Sequence, residues 1–213
     1  MLPNHDMNDV PFNQENYRWS YKVTELINNP VDLSSGLGKF HWFYSDQPVG
    51  RTALAECMEQ RLPNWIHIEL SPRYTHNSIV KAVTDRVKTT GWNIRTTGIH
   101  GIIIDVPPHA NNRVTICQAL NYLSHRKLHL YNVELKSYCH IVVLANWPPM
   151  LAVVDDNMIT QTVSMHKPTI WQIVNKDNIQ RIDNKKLLGH QVTMLRNRGY
   201  RSDVNPNIYT EAA

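Results

Sequence analysis

Cysteine is scarce in this sequence of 213 residues, and long apolar runs are absent from it. Cys57, Cys117 and Cys139 are an odd number and form no C-x-x-C pair, so neither a disulfide framework nor a thiolate zinc site is expected. The longest apolar runs, such as residues 141–145, are far shorter than the roughly 18–20 residues that cross a bilayer. The first ten residues are polar, without the apolar segment of a secretory signal. These absences predict a soluble intracellular protein with no membrane partner.

Internal repeats, low-complexity stretches and a Gly-x-Ser-x-Gly elbow are also missing, so coiled-coil and collagen-like classes are excluded and an acyl-transfer triad has no support. The composition is that of a globular protein, with 42% hydrophobic and 19% charged residues. Most of the net charge of +4 lies in residues 175–213, which hold seven Lys and Arg against four Asp and Glu. Such a basic end favours nucleic acid or an acidic partner, and a solvated polar tail explains it equally well.

Apolar periodicity divides the chain into alternating helices and strands. Helices are predicted in residues 16–29, 52–60, 77–89 and 114–125. Strands are predicted in residues 40–44, 65–70, 101–106, 140–145, 159–165 and 169–174. This alternation predicts an α/β fold with a mainly parallel sheet flanked by helices. We divide the chain into a helical N-terminal lead, residues 1–38, a core domain, residues 39–174, and a basic C-terminal tail, residues 175–213.

A loop that could bind phosphate follows the first predicted strand. Gly50-Arg51-Thr52 leads directly into a helix, where a phosphate-binding loop has Gly-Lys-Thr or Gly-Lys-Ser. The loop is short and has one glycine, so an ordinary strand-to-helix turn is the alternative. The segment Gly36-Leu37-Gly38-Lys39 has similar letters, but it precedes a strand and is interpreted as a turn.

Polar residues also end two later strands, at the sheet edge where ligands of parallel sheets bind. Asp105 ends the run GIIID and has the position of an acid that holds magnesium beside a nucleotide, together with the Thr52 hydroxyl. Asn146 ends the run HIVVLAN and has the position of a residue that senses a γ-phosphate. The order of Thr52, Asp105 and Asn146 along one chain is more informative than each residue alone.

Four segments together resemble the superfamily 3 helicase domain of replication-initiator (Rep) proteins of circular single-stranded DNA viruses, such as nanoviruses, alphasatellites and circoviruses. FHWFYSDQPVGRTALAECM resembles the aromatic strand and phosphate loop, GIIIDVP the second nucleotide motif and HIVVLANWPP the third, and LYNVE lies where the family has Lys-Tyr-Glu. The resemblance covers roughly residues 16–174. It implies a P-loop NTPase-like fold, ATP and magnesium as ligands, DNA as partner, ring oligomers and, for a viral protein, the host nucleus.

The departures from the family pattern concern the groups that perform hydrolysis. The loop has lost residues and most glycines, and Arg51 stands for the lysine, whose compact ammonium a planar guanidinium does not reproduce. Asn132 stands at the lysine of the Lys-Tyr-Glu segment, with Glu134 retained. Asp156-Asn157 stands where the family has Asp-Arg, a candidate transition-state arginine.

Two charge gaps in the sequence bear on hydrolysis without any alignment. No Asp or Glu lies between Val106 and Val133, and no Arg lies between Lys127 and Gln180. Loss of an arginine finger alone reduces phosphoryl transfer roughly 10³–10⁵-fold, so weak or absent hydrolysis is expected. Only about 15 residues precede the first predicted helix, so we expect no Rep-type nicking domain.

Two functions follow from these residues. The first is an ATP-dependent helicase motor with Gly50, Arg51 and Thr52 on phosphate, Thr52 and Asp105 on magnesium, and Asn146 at the γ-phosphate. The second is a non-catalytic module that binds nucleic acid through its tail, enters a ring or co-assembles with an active Rep protein. The predicted nucleic-acid contacts are the basic residues of the tail, Lys185, Lys186, Arg196, Arg198 and Arg201.

Several other candidates have ordinary structural explanations. His125 and His129 are four residues apart, but their context adds two positive charges and no third ligand, so a solvated basic surface is favoured over zinc. The aromatic residues Trp42, Tyr44, Trp65 and Trp92 are expected in the core more than in base stacking.

Overall fold

The computed structural model describes residues 14–28, 38–62, 64–70, 76–89, 100–108, 110, 113–124, 127–128, 133–134, 139–161 and 168–205. The helices are α1 (Gln14–Asn28), α2 (Arg51–Arg61), α3 (His76–Thr89), α4 (Arg113–Ser124) and α5 (Asn184–Arg196). The strands are β1 (Phe40–Tyr44), β2 (Trp65–Glu69), β3 (Gly101–Asp105), β4 (Lys127–Leu128), β5 (Val133–Glu134), β6 (His140–Ala145), β7 (Ala152–Asp155), β8 (Met158–Gln161), β9 (Thr169–Asn175), β10 (Asn178–Ile182) and β11 (Arg201–Ser202).

Six strands form the main sheet, in the order β10-β9-β1-β6-β3-β2. All neighbours in it are parallel except β10, which pairs antiparallel with β9. The predicted α/β fold with a mainly parallel sheet is therefore confirmed. The order also makes β1, β6 and β3 neighbours, although they are far apart in sequence.

Helices cover both faces of this sheet, which explains the continuous apolar runs of its strands. Phe43 and Ile103 face α1 and α2, whereas Trp42 and Ile104 face α3 and α4. Alternate residues of β1 and β3 thus belong to two separate apolar clusters. None of the helices in the described ranges has both the length and the apolar character that a membrane-spanning helix needs.

Helix α1 is a packed part of the fold. Its residues Trp19, Val23 and Ile27, which the four-residue spacing predicts on one face, are all buried. Lys22 Nζ of α1 donates to the carbonyl oxygen of Asp177 at 2.8 Å. Asp177 lies in the turn between β9 and β10. Helix α1 therefore closes one face of the sheet over β1 and β9.

The described part of the predicted tail, residues 175–205, folds into β10, α5 and β11. Helix α5 buries Leu188, Val192 and Leu195 in an apolar cluster that includes Ile170 of β9. Ile170 pairs with Trp42 in the sheet, so the two side chains point to the same face. Helix α5 therefore lies on the same face as α3 and α4. The basic residues of this region are thus carried on a packed helix and its flanks.

The Gln191 side chain links α5 to the start of β7 through hydrogen bonds. Its side-chain oxygen accepts hydrogen bonds from the backbone N–H of Leu151 at 2.9 Å and of Ala152 at 3.1 Å. Its amide nitrogen donates to the carbonyl oxygen of Pro149 at 2.9 Å. The side chain is buried, so these bonds satisfy backbone groups that water does not reach.

A small second sheet contains β7, β8 and β11. Strands β7 and β8 form a hairpin whose two turn residues, Asp156 and Asn157, have φ angles of 43° and 67°. Aspartate and asparagine tolerate this left-handed conformation better than most residues, so the pair suits a tight hairpin turn. The strand predicted in residues 159–165 overlaps β8, which belongs to this hairpin and lies outside the main sheet, and residues 162–165 of that prediction lie outside the described residues.

The edge strand β2 of the main sheet is covered by a side chain of α2. Glu59 Oε1 accepts a hydrogen bond from the backbone N–H of His67 at 3.0 Å. The same oxygen lies 3.5 Å from Arg86 Nη2 of α3. The Glu59 carboxylate thus accepts from the His67 N–H, which would otherwise be available to pair with another strand.

His41 is a buried histidine in the central strand β1. Trp171 Nε1 donates to His41 Nδ1 at 3.1 Å, and the His41 ring stacks on Phe43 and Trp171. Burial, together with the nearby positive charges of His140, Lys39 and Arg181, lowers the His41 pKa from 6.5 to about 3. His41 is therefore neutral in the folded protein at neutral pH.

We expect His41 to make the fold less stable as the pH falls. The unfolded chain binds a proton at His41 below pH 6.5, whereas the folded chain does not until about pH 3. The free energy of unfolding should therefore fall by about 2 kcal/mol between pH 7 and pH 5 through this residue. His41→Gln keeps an acceptor for Trp171, and urea unfolding should show a shallower pH dependence for it. Equal pH dependence in both proteins would contradict this assignment.

We also expect Gln191→Ala to lower the free energy of unfolding by about 2–3 kcal/mol, because three buried backbone groups lose their partners. Gln180→Ala on the exposed side of β10 is the matched control and should change it by less than about 0.5 kcal/mol. Urea denaturation measures both. Equal stability of the two variants would show that α5 does not support β7.

Candidate functional site

The candidate site lies at the carboxyl edge of the three central strands β1, β6 and β3. Register pairs Phe43 with Leu144 and Leu144 with Asp105, so the strand ends are level. Gly50, Arg51 and Thr52 follow β1, Asp105 ends β3, and Asn146 follows β6. The residues predicted for the site therefore share one edge of the sheet.

The loop between β1 and α2 matches, to within one residue, the gap between the predicted strand 40–44 and the predicted helix 52–60. Residues 45–50 join Tyr44 to Arg51, so Ser45 and Gly50 are separated by four residues. This is the spacing of the phosphate-loop pattern, with Ser45 at the position of its first glycine. The expectation that the loop is short and has lost residues is wrong, and only the residue types differ.

Ser45 is a loop residue that the motif search missed. It is buried, its backbone N–H donates to Ala145 O at 3.1 Å, and its Oγ accepts from the Gln47 N–H at 3.3 Å. The serine side chain thus fixes the start of the loop, where a glycine would leave the backbone open to a ligand. The spacing of four residues between Ser45 and Gly50 is the sequence signal that identifies Ser45 as the first position of the loop pattern.

Gly50 makes the turn from the loop into α2. Its φ of 72° and ψ of 47° lie in the left-handed region, which glycine adopts at low cost. No side chain caps the start of α2, and its first turn has no acidic residue. The positive end of the helix therefore faces the loop, as an anion-binding helix terminus requires.

Arg51, the first residue of α2, turns its guanidinium into the protein. Its Nη1 donates to the carbonyl oxygen of Val106 at 3.0 Å and to that of Leu144 at 3.4 Å. The same nitrogen lies 4.0 Å from Asp105 Oδ1, and only 12% of the Arg51 side chain is exposed. Burial lowers the pKa of Arg51, and the charge of Asp105 opposes that change.

Thr52 and Asp105 are in direct contact. Thr52 Oγ1 donates to Asp105 Oδ2 at 2.6 Å, and 5% of the Asp105 side chain is exposed. Burial raises the pKa of Asp105, which the Thr52 hydroxyl and the charges of Arg51 and His67 partly counteract. Thr52 and Arg51 are thus the partners that hold this buried carboxylate.

Glu69 is a second carboxylate at this edge that the sequence analysis missed. It ends β2, it is the Cα partner of Asp105, and its charge contributes to the raised pKa of Asp105. The search for a further acid covered only the chain after Asp105. The strand predicted in residues 65–70 already contained Glu69, but only the sheet order identifies β2 and β3 as neighbours.

Asn146 makes a contact that differs from the predicted one. Its Nδ2 donates to the carbonyl oxygen of Pro108 at 3.2 Å, on the segment that follows Asp105. Its Oδ1 is buried and has no hydrogen-bond partner among the described residues. The amide therefore links the ends of β6 and β3, and its donor is directed at the protein backbone.

The residues present do not fit a magnesium ion as the site is built. Magnesium requires several oxygen ligands in near-octahedral geometry, whereas Thr52 and Asp105 are bonded to each other and the second Asp105 oxygen faces Arg51. Within the part of the chain that the structure describes, no three His, Cys, Asp or Glu side chains are grouped so that they could hold a metal. The site is built around a guanidinium.

The five predicted nucleic-acid contacts, Lys185, Lys186, Arg196, Arg198 and Arg201, are all exposed. Lys185 and Lys186 lie in the first turn of α5, and Arg196 lies in its last turn. At 3.6 residues per turn these three side chains fall within about 100° of the helix circumference, and the two ends are about 15 Å apart. We name this set of five residues the α5 basic surface.

The remaining candidates have structural roles or lie outside the described residues. Trp42 and Trp65 are buried, as expected for core residues, and Trp65 stacks on His140. Glu134 lies in β5 opposite Lys127. The candidates outside the described residues are Gly36, Leu37, Trp92, His125, His129 and Asn132.

The edge thus combines a loop of phosphate-binding length, an uncapped helix start, and a carboxylate held by a hydroxyl and a guanidinium. Arg51, Thr52 and Asp105 are in mutual contact, and Asn146 contacts the adjoining segment. No protein-family model matches the chain, and no curated protein matches it.

Proposed function

We propose that the chain is a Rep-like, P-loop NTPase-type domain that no longer turns over nucleotide. It acts in DNA replication as a non-catalytic module that binds nucleic acid or assembles into rings, alone or with an active Rep protein. The juxtaposition of Gly50, Thr52, Asp105 and Asn146 at one sheet edge supports the relation to helicase domains. The host nucleus as location belongs to the same proposal and follows from the resemblance.

The inward direction of Arg51 carries the proposal. A phosphate-binding cation at this position must reach the loop and the helix start. The Arg51 guanidinium instead donates to Val106 O and Leu144 O and lies beside Asp105. To bind a nucleotide, Arg51 would have to leave these acceptors and expose a buried carboxylate without its counter-charge, which costs free energy.

Two other positions support the loss of turnover. The Asn146 donor is bonded to Pro108 O. Asp156 and Asn157, which stand where the family has Asp-Arg, form the two-residue turn of the β7–β8 hairpin. Hydrolysis depends on charge stabilisation of the phosphoryl group, and neither position supplies it.

A working helicase motor is the second candidate function, and the contact between Thr52 and Asp105 favours it. A hydroxyl and a carboxylate at one sheet edge are the types of protein group that a magnesium-nucleotide site uses, once the ion replaces the hydrogen bond between them. In this alternative Arg51 moves to the phosphates when ATP and magnesium bind. Measurement of turnover separates the two candidates.

The α5 basic surface supports nucleic acid as the partner. Its five cations are exposed and span both ends of one helix. Asp183 accepts hydrogen bonds from the backbone N–H groups of Lys185 and Lys186, so it caps α5 and leaves both ammonium groups on the surface. Contacts of this kind bind phosphate through counterion release and do not read sequence.

We expect the native chain to release no phosphate from ATP and to bind no fluorescent ATP analogue at millimolar concentration, with or without magnesium. Arg51→Lys should raise the affinity for the analogue at least about tenfold, because a compact ammonium fits the loop better than a guanidinium does. Arg61→Lys, at the other end of α2, is the matched control and should not change it. Magnesium-dependent phosphate release by the native chain, abolished in Thr52→Ala, would establish the motor instead.

We expect two double reversals, Lys185→Glu with Lys186→Glu and Arg196→Glu with Arg198→Glu, each to weaken binding of a DNA oligonucleotide. Each should also reduce the slope of log affinity against log salt by about 2, since two phosphate contacts are lost. Fluorescence anisotropy over a salt series measures both quantities. Arg18→Glu on α1, across the sheet from α5, is the control for reversal of surface charge. Unchanged affinity in both double variants would exclude the α5 basic surface.

A further inference from the structure

The buried carboxylate Asp105 has two distinct partners, one for each oxygen. Oδ2 accepts from the Thr52 hydroxyl, and Oδ1 faces the Arg51 guanidinium. An ionised carboxylate that is 5% exposed requires a compensating positive charge nearby. Among the described residues the cation in ion-pair contact with Asp105 is Arg51, at 4.0 Å.

The Arg51 guanidinium lies among oxygen atoms. Besides Asp105 Oδ1, its Nη1 contacts the carbonyl oxygens of Val106 at 3.0 Å and Leu144 at 3.4 Å. These oxygens come from the ends of two adjacent strands, and the Thr52 hydroxyl lies on the other side of Asp105. Carboxylate, carbonyl and hydroxyl oxygens are also the ligands that hard divalent cations prefer.

We propose that the Arg51 guanidinium takes the place of a divalent cation beside Asp105, and that removal of this guanidinium opens a cation site whose protein ligands are Asp105 and Thr52. The native chain therefore needs no metal ion at this edge to compensate its buried carboxylate. Glu69, the neighbour of Asp105 in the sheet, adds negative charge that favours a divalent cation once Arg51 is absent. The inference rests on the proposed function only in that the native site does not use magnesium.

The position of Arg51 at the start of α2 makes the replacement efficient. The residue directly before Thr52 carries the cation, so the same helix turn supplies both the charge and the hydroxyl that hold Asp105. A lysine at this position keeps a positive charge at the start of α2, in a compact ammonium with three donors. Arg51→Lys thus keeps the positive charge and is the matched control for variants that remove it.

The test measures binding of Mn²⁺ alone, by the loss of the free-ion signal in electron paramagnetic resonance. The native chain and Arg51→Lys should bind no Mn²⁺ at this edge. Arg51→Met and Arg51→Gln should each bind one Mn²⁺ at least about tenfold more tightly than the native chain. Arg51→Gln retains an amide that can donate to Val106 O, so it provides a second variant with less disturbance of the fold.

Adding Asp105→Asn to Arg51→Met should abolish this Mn²⁺ binding, whereas Asp85→Asn on α3 should not. If the Arg51→Met protein is folded only when Mn²⁺ is present, this outcome also supports the proposal, because the ion then supplies the missing charge. Absence of Mn²⁺ binding by both folded variants would overturn it, and so would failure of both to fold in millimolar Mn²⁺. Asp105-dependent binding of one Mn²⁺ by the native chain would overturn it as well. ATP turnover by the native chain would instead refute the proposed function.

Discussion

Compensation of the Asp105 carboxylate is the constraint on which the centre of this molecule depends. The residue ends β3, between strands covered on both faces, where water cannot solvate the charge. Thr52 and Arg51 reach it because β1 delivers the start of α2 to the same edge. Arg51 in turn bonds to carbonyl oxygens at the ends of β3 and β6, so one side chain joins two strands to helix α2. The charge of Asp105 is therefore compensated only while α2 keeps its position on the sheet.

This edge differs from a phosphate-binding edge in what its cation contacts. In a nucleotide-binding protein the loop, the hydroxyl and the acid are completed by the ligand and its metal ion. Here the cation next to the hydroxyl, Arg51, is directed at Asp105 and at two backbone carbonyl oxygens. The loop shares two backbone features with such a loop, the left-handed Gly50 and the uncapped helix start. The edge thus has the backbone geometry of a phosphate-binding loop, and its cation is the counter-charge of a buried carboxylate.

Most of the fold could be predicted from the sequence, because the apolar runs of β1, β3 and β6 and the four-residue spacing in α1 are strong local signals. The site residues Arg51, Thr52 and Asp105 were also identified by their positions at strand ends. The direction of the Arg51 side chain and the role of Glu69 were not, since both depend on the order of strands in the sheet. Helix α5 could not be predicted as a packed helix, because charged residues mask the spacing of Leu188, Val192 and Leu195.

The cover of the β2 edge by Glu59 restricts how copies of the domain can join. An open edge strand extends readily into a neighbouring sheet, which is a common route to unwanted polymers. The carboxylate that accepts from His67 N, held near Arg86, blocks that route at one side of the sheet. A second copy that pairs with β2 would have to displace the Glu59 carboxylate from the His67 N–H, so contacts through helix faces or loops are favoured at this side of the domain.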